Sequence, residues 1–230
     1  MIFALLAIEI NMFTGIIEAV GTISAIKHHA HDMTISVDSG TLDLSDVKLG
    51  DSIAHNGVCL TITALHKNGY DVDISNETIS RSGFASIKIG FKVNLEKAMQ
   101  MSSRFGGHIV SGHVDGVGEI TSMTRVGSAI EYWIKAPLDL AKYIAEKGSI
   151  TIDGISLTTN AIDNSAFKLT IIPHTIAQTT MQDYQVGTLV NLEVDVIARY
   201  LERLISSNQN VETEKESTMD LLARSGFFTG

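Results

Sequence analysis

The chain is written twice. Gly15 to Ile23 (GIIEAVGTI) recurs as Gly112 to Ile120 (GHVDGVGEI), and Ser52 to Thr61 (SIAHNGVCLT) recurs as Ser149 to Thr158 (SITIDGISLT), both at an offset of 97 residues. The same shift carries Thr78 onto Thr175, Gly90 onto Gly187, and the VNLE at Val93 to Glu96 onto the VNLE at Val190 to Glu193. Chance matches do not keep one register through four separated blocks. The sequence therefore encodes two tandem copies of one fold, each just under a hundred residues.

Within each copy the apolar residues alternate as they do in strands. Val58, Leu60, Ile62 and Ala64 fall on one face, with Cys59, Thr61 and Thr63 on the other, and Val72 and Ile74 alternate with Asp71 and Asp73. Short strands, frequent Gly and only two Pro in the whole chain point to a small antiparallel barrel or sandwich. The expectation is two β-barrels in tandem, joined by the polar, Gly-ended stretch Gln100 to Gly107. Helix is expected mainly at the end, where Val196, Ile197, Tyr200, Leu201, Leu204 and Ile205 form a stripe at helical spacing. That stripe suits either packing onto the second barrel or a subunit contact. Ser206 to Thr218 is polar, and Met219 to Arg224 reads as a last short amphipathic segment stopping near Gly226. Residues 1–11 have no counterpart in the second copy and stand outside the fold argument.

Composition narrows the function classes. A net charge of -9 provides no basic field, which argues against nucleic acid as a partner. The apolar opening, Met1 to Ile8, is too short to span a bilayer and lacks the flanks of a signal peptide. One cysteine, Cys59, permits no intrachain disulfide, consistent with a cytoplasmic protein. No phosphate-cradling glycine loop, zinc spacing or nucleophile motif occurs, so neither a metal nor a cofactor is expected. His28, His29 and His31 cluster without a third type of ligand nearby and are expected to lie on a solvated loop.

The strongest local signal is the pair of blocks around Asn56 and Asp153, each a turn-prone dipeptide followed by an apolar residue, a small polar one, Leu and Thr. The alternation turns Cys59 and Thr61, and Ser156 and Thr158, away from the barrel interiors, where they suit either a shallow site for a polar heterocycle or an ordinary solvated face. Aligned positions then differ in a chemically useful way: Cys59 stands against Ser156, and Ile16 against His113. An imidazole titrating near 6.5 is a better proton carrier at neutral pH than a thiol near 8.5.

Jointly, MFTGIIE at Met12 to Glu18, AHNGVCLT at Ala54 to Thr61, GGHIVSGHVDG at Gly106 to Gly116 and IDGISLT at Ile152 to Thr158 resemble the riboflavin synthases, from Met12 to about Ile205. The resemblance implies an all-β chain of two six-stranded antiparallel Greek-key barrels plus a C-terminal helix, divided at 12–107, 108–195 and 196–230. It implies ribityllumazine contacts at Phe13, Gly15, Ile16 and Ile17, at Cys59, Leu60 and Thr61, and at Asp73, Ile74, Ser75, Asn76, Glu77 and Thr78. In the second copy they fall at Gly112, His113 and Val114, at Lys147, at Ser156, Leu157 and Thr158, and at Ile171, Ile172, Pro173, His174, Thr175 and Ile176. The aligned halves thereby contribute aligned segments. The implied reaction is a dismutation of two 6,7-dimethyl-8-ribityllumazine molecules, without metal or redox cofactor, in a homotrimer whose site joins the first barrel of one subunit to the second barrel of a neighbour. His113 is the candidate base, Cys59, Ser52 and Thr61 contact the partner ring, and Lys147 stabilises developing negative charge. The same fold also serves lumazine proteins, which bind the chromophore without converting it; a barrel serving only as an interaction module leaves the doubled polar pairs unexplained.

Overall fold

The first copy closes on itself. In the computed structural model, which describes residues 12–30 and 32–207, its strands are β1 (Ala19–His28), β2 (Met33–Asp38), β3 (Ser52–His55), β4 (Val58–His66), β5 (Gly69–Ile74) and β6 (Lys92–Lys97). They form an antiparallel barrel in the order β1-β2-β5-β4-β3-β6, with β6 returning to β1. Alternation sends Ile23, Ile35, Ile53, Ile62, Tyr70, Val72, Ile74, Val93 and Leu95 inward, each at most 2% exposed. Burying a side chain of this size stabilises the fold by about 1.5–3 kcal/mol, so the inward set dominates barrel formation. Bulges between Ile23 and Ala25 and between Ile62 and Ala64 add the bend that closure demands. One polar pair sits inside. His55 is fully buried, its Nδ1 donates to the Ile53 carbonyl, and its Nε2 accepts from the Tyr70 hydroxyl. Burial drives the His55 pKa down to about 4 and so keeps the ring neutral.

The second copy repeats this order with one strand broken. Its strands are β7 (Gly116–Val126), β8 (Ala129–Lys135), β9 (Ser149–Ile152), β10 (Ile155–Thr158), β11 (Ala161–Asp163), β12 (Ala166–Ile171) and β13 (Leu189–Val194), in the sheet order β10-β9-β13-β7-β8-β12-β11. At the offset of 97, β10 and β11 together correspond to β4, so the two edge strands are halves of one strand. The break falls at Thr159 and Asn160, where the first copy carries its β4 bulge. Thr159, which replaces Ile62, is fully buried with its hydroxyl unpartnered, and the Asn160 amide turns to the Lys168 carbonyl. The six expected strands are present; one is written in two pieces.

The periodicity does not reveal the short helices. Besides α2 (Leu138–Ala141), they are α1 (Asn76–Arg81) and α3 (Pro173–Ala177), which follow β5 and β12. At about one turn each they are too short to leave a repeating apolar stripe; α1 is capped by the Ser75 hydroxyl accepting from the Thr78 amide, and α3 starts on Pro173. Residues 196–207 form helix α4, whose Ile197, Tyr200, Leu201, Leu204 and Ile205 are all exposed in the single chain. His28 and His29 are exposed, although His28 is the last residue of β1, paired with Met33, and not part of a loop, whereas His31, residues 1–11 and the segment Met219 to Arg224 lie outside the described residues.

Candidate active site

The two copies meet about a pseudo-twofold axis, and equivalent residues bond to one another across it. Phe13 and Val110, related by the offset, exchange backbone hydrogen bonds of 2.9 and 3.1 Å. The turns at Asn56-Gly57 and Asp153-Gly154 abut: a Cβ on Gly57 would stand 2.8 Å from the Gly154 nitrogen, and one on Gly154 would stand 2.7 Å from the Gly57 nitrogen. Asn94 Nδ2 donates to the Asp153 carbonyl while Asn191 Nδ2 donates to the Asn56 carbonyl, and their Oδ1 atoms accept from Thr180 N and Gly83 N respectively. Asn56 and Asp153 are thus turn residues, with φ of 46° and 45°, and also the hubs of a buried network. Symmetry breaks at Asp153. Its carboxylate accepts from Tyr184, whose counterpart is Ile87, and burial raises its pKa to about 7.

The same axis exchanges the loops that begin each copy. Gly15, in the first copy, accepts a 2.8 Å hydrogen bond at its carbonyl from Ser156 N of the second, and Gly112 likewise accepts at 2.9 Å from Cys59 N of the first. Both glycines have left-handed backbones, φ 76° and 77°, and both are pressed onto the residue they bond: an added Cβ would lie 2.6 Å from Ser156 Cβ or from Cys59 Cβ. Val114 correspondingly packs against the first core and Ile17 against the second. The repeat does not specify this pairing, and the structure crosses it. Cys59, Leu60 and Thr61 are brought together with Gly112, His113 and Val114, and Ser156, Leu157 and Thr158 with Gly15, Ile16 and Ile17.

Within this crossed frame the candidate residues divide by accessibility. His113, Ile16, Thr61, Thr158, Asp73, Ser75, Asn76, Glu77, Ile172, Pro173 and His174 are exposed, and Cys59, Ser156, Leu157, Thr78, Thr175 and Ile176 are half-buried. Leu60, Ile74 and Ile171 point into the barrel interiors, so they face a ligand only through their backbone. Phe13 is fully buried among Ala54, Val110 and Cys59, with its ring against Gly112. Ser52 is only 2% exposed, its hydroxyl beside the thiol of Cys59, and Lys147 is exposed on the second barrel in a left-handed conformation, φ 65°. Asp73 and Ser75 are already engaged, by Thr34 Oγ1 at 2.6 Å and by the Thr78 amide. No contact brings Lys147 to Cys59 or His113 within the described chain.

Two sets of groups escape a reading of the sequence. Glu96 accepts from Thr14 N, Thr14 Oγ1 and Gly15 N at 2.7, 2.9 and 2.9 Å, and Glu193 accepts from Ser111 N, Ser111 Oγ and Gly112 N at 2.7, 2.7 and 3.1 Å. Both carboxylates are buried; burial raises their pKa values, that of Glu193 to about 7. They sit in the repeated VNLE, and a glutamate recurring at the end of an apolar strand is the signal that marks them. His108 is the second: its Nδ1 lies 2.8 Å from Ser156 Oγ, and burial lowers its pKa. The Cys59 thiol is pushed up, first by burial and further by the charge of Glu193, against a lowering by Ser52, so at neutral pH it is a thiol and not a thiolate nucleophile. Among the described residues no group of His, Cys, Asp and Glu is arranged to hold a metal.

Comparison with known proteins finds the same doubling of the chain. The lumazine binding domain matches twice, over residues 14–98 and 111–195. The chain is 55% identical to riboflavin synthase of Photobacterium phosphoreum over 94% of its length and 99% of that protein, and 52% identical to riboflavin synthase of Photobacterium leiognathi over 95% and 100%. The crystal structure of LumP complexed with riboflavin superposes with a TM-score of 0.73 at 26% identity, covering 79% of this chain and 98% of that one. With both domains matched and the synthases aligned end to end, the chain belongs to the riboflavin synthase family.

Proposed function

We propose that each crossed site holds one 6,7-dimethyl-8-ribityllumazine, so that two like folds serve the two like molecules the reaction consumes. The protein is a transferase: one lumazine gives up a four-carbon unit to the other, yielding riboflavin and 5-amino-6-(D-ribitylamino)uracil. The observation that carries this reading is the near full-length identity to synthases, supported by the two crossed backbone pairs, Cys59 with Gly112 beside His113 and Ser156 with Gly15 beside Ile16. Holding two dilute rings together removes an entropic barrier of about 7–11 kcal/mol in favourable cases, so positioning supplies much of the catalysis.

In this reading the exposed imidazole of His113 takes a proton from the C7 methyl group of the donor, and the resulting carbanion attacks the acceptor ring. Cys59 contributes as a neutral hydrogen-bonding thiol, in keeping with its raised pKa. Lys147, on the second barrel, reaches a reacting pair whose other ring rests on the first barrel of a neighbouring subunit in a homotrimer. The exposed apolar row of α4, Ile197, Tyr200, Leu201, Leu204 and Ile205, supports such an assembly. A cytoplasmic location accords with the single cysteine, and among the described residues no helix is long and apolar enough to cross a membrane.

A second reading, a carrier that binds lumazine or flavin without converting it, draws on the likeness to LumP. Identity favours the synthases, 55% against 26%. His113→Ala tests the assigned base: turnover should fall by about 10²–10⁴-fold, the usual worth of a positioned proton-transfer group, with lumazine binding retained. Near-normal turnover in the folded variant would remove His113 from that role.

A further inference from the structure

We propose that Glu193 is a positioning residue that pins the His113 loop of the second copy onto Cys59 of the first, and that Glu96 does the same for the Ile16 loop on Ser156. The inference rests on the assignment of Cys59 and His113 to one site. Each carboxylate holds its loop by three donors and leaves none of them to water. The residue it grips is followed by, or is itself, the glycine whose carbonyl binds Cys59 N or Ser156 N. A chain of contacts therefore runs from the end of β13 through Ser111 and Gly112 to Cys59, with His113 the next residue along. Its counterpart runs from the end of β6 through Thr14 and Gly15 to Ser156, with Ile16 next.

An ionised carboxylate suits this task because it only accepts, and each of its two oxygens takes one backbone N–H of the loop, the Thr14 or Ser111 hydroxyl donating beside them. An amide of the same shape would turn its NH2 onto one of these two backbone N–H groups, donor against donor. The two clamps are alike in geometry and differ in what they reach. Around Glu193 the charged or titratable groups are Asp115 and the Cys59 thiol; around Glu96 the facing group is Glu18, and Ser156 does not titrate. The charge of Glu193 thus acts on Cys59 directly, opposing ionisation of the thiol, whereas Glu96 has no such neighbour.

Glu193→Gln tests the idea through two readouts. The first is the pH midpoint of iodoacetamide alkylation, which reports on Cys59 alone because it is the only cysteine in the chain. Loss of the charge and of the clamp should lower that midpoint, while Glu96→Gln leaves it in place. The second is turnover of 6,7-dimethyl-8-ribityllumazine: kcat should fall by about a hundredfold, the cost of an ångström-scale misplacement, with KM changing much less. An unchanged thiol midpoint, or kcat within threefold of the parent, in folded Glu193→Gln would overturn the proposal. If Glu193→Gln does not fold, Ser111→Ala, which deletes only the hydroxyl donor, should shift both readouts in the same direction by less, and no shift would count equally against it. Should the parent protein make no riboflavin, the synthase reading fails while the thiol midpoint still decides the clamp.

Discussion

Gly112→Ala is expected to cut turnover by about a hundredfold or more while both barrels stay folded. The methyl group would stand 2.6 Å from Cys59 Cβ, 3.0 Å from the ring of Phe13 and 3.1 Å from Cys59 N, on a backbone whose φ of 77° disfavours any side chain. Neither neighbour can yield: Phe13 is fully buried, and Cys59 is fixed in the β4 ladder. The loop must lift instead, breaking the Gly112 carbonyl bond to Cys59 and carrying His113 away. A displacement of about 1 Å costs on the order of a hundredfold in rate, and this one removes base and thiol from register together. Gly15→Ala, with its Cβ 2.6 Å from Ser156 Cβ, should be as damaging, because a reaction between two lumazines fails when either site is spoiled. Gly127→Ala is the control: its φ is 61° but nothing lies within 4 Å, so it bears the backbone cost alone. Riboflavin formation measured beside circular dichroism separates these outcomes. Gly112→Ala working within threefold of the parent would mean that the crossed contact is not part of the site.

The largest effect on stability should come from Gly57→Ala. Here the obstacle is backbone, not side chain: the added carbon meets the Gly154 nitrogen at 2.8 Å and its Cα at 3.1 Å, again at a positive φ, 80°. Relief requires the two turns to separate, and the buried bonds of Asn94 and Asn191 across the axis stretch with them. Overpacking typically costs 1–3 kcal/mol, and each buried polar group left unpaired adds about 1–3 kcal/mol, which gives a loss of roughly 4 kcal/mol. For a chain of this size that corresponds to a fall in Tm of about 10 °C by scanning calorimetry. Gly90→Ala, φ 88° with open space around it, should lose only a small fraction of this. Equal losses in the two variants would show that the pseudo-twofold contact carries no special load.

The sequence makes the doubling, the strands and the outward face of Cys59 legible because each rests on a period that holds over many residues. The helix at 196–207 is legible for the same reason. The exchange of loops is not. An offset of 97 relates Gly15 to Gly112 whether each loop lies on its own barrel or on the other, since both arrangements obey the same repeat. Only the bonds from Ser156 to Gly15 and from Cys59 to Gly112 decide it. Glu96 and Glu193 were visible as part of VNLE, but a carboxylate at a strand end reads as solvated until its three donors are seen. Asn56 and Asp153 read correctly as turn residues; their second role depends on Asn94 and Asn191, 38 residues further along in each case. One-turn helices such as α1 and α3, which carry Thr78 and Thr175, are too brief for any periodicity to register.

The central claim, that two like barrels bring two lumazines together for conversion, is tested most directly by incubating the purified full chain with 6,7-dimethyl-8-ribityllumazine alone. Riboflavin absorbance should appear without added metal, cofactor or second substrate, and one riboflavin should form for every two lumazines consumed. Saturable lumazine binding with no riboflavin formed would contradict the account and identify the protein as a carrier of the chromophore.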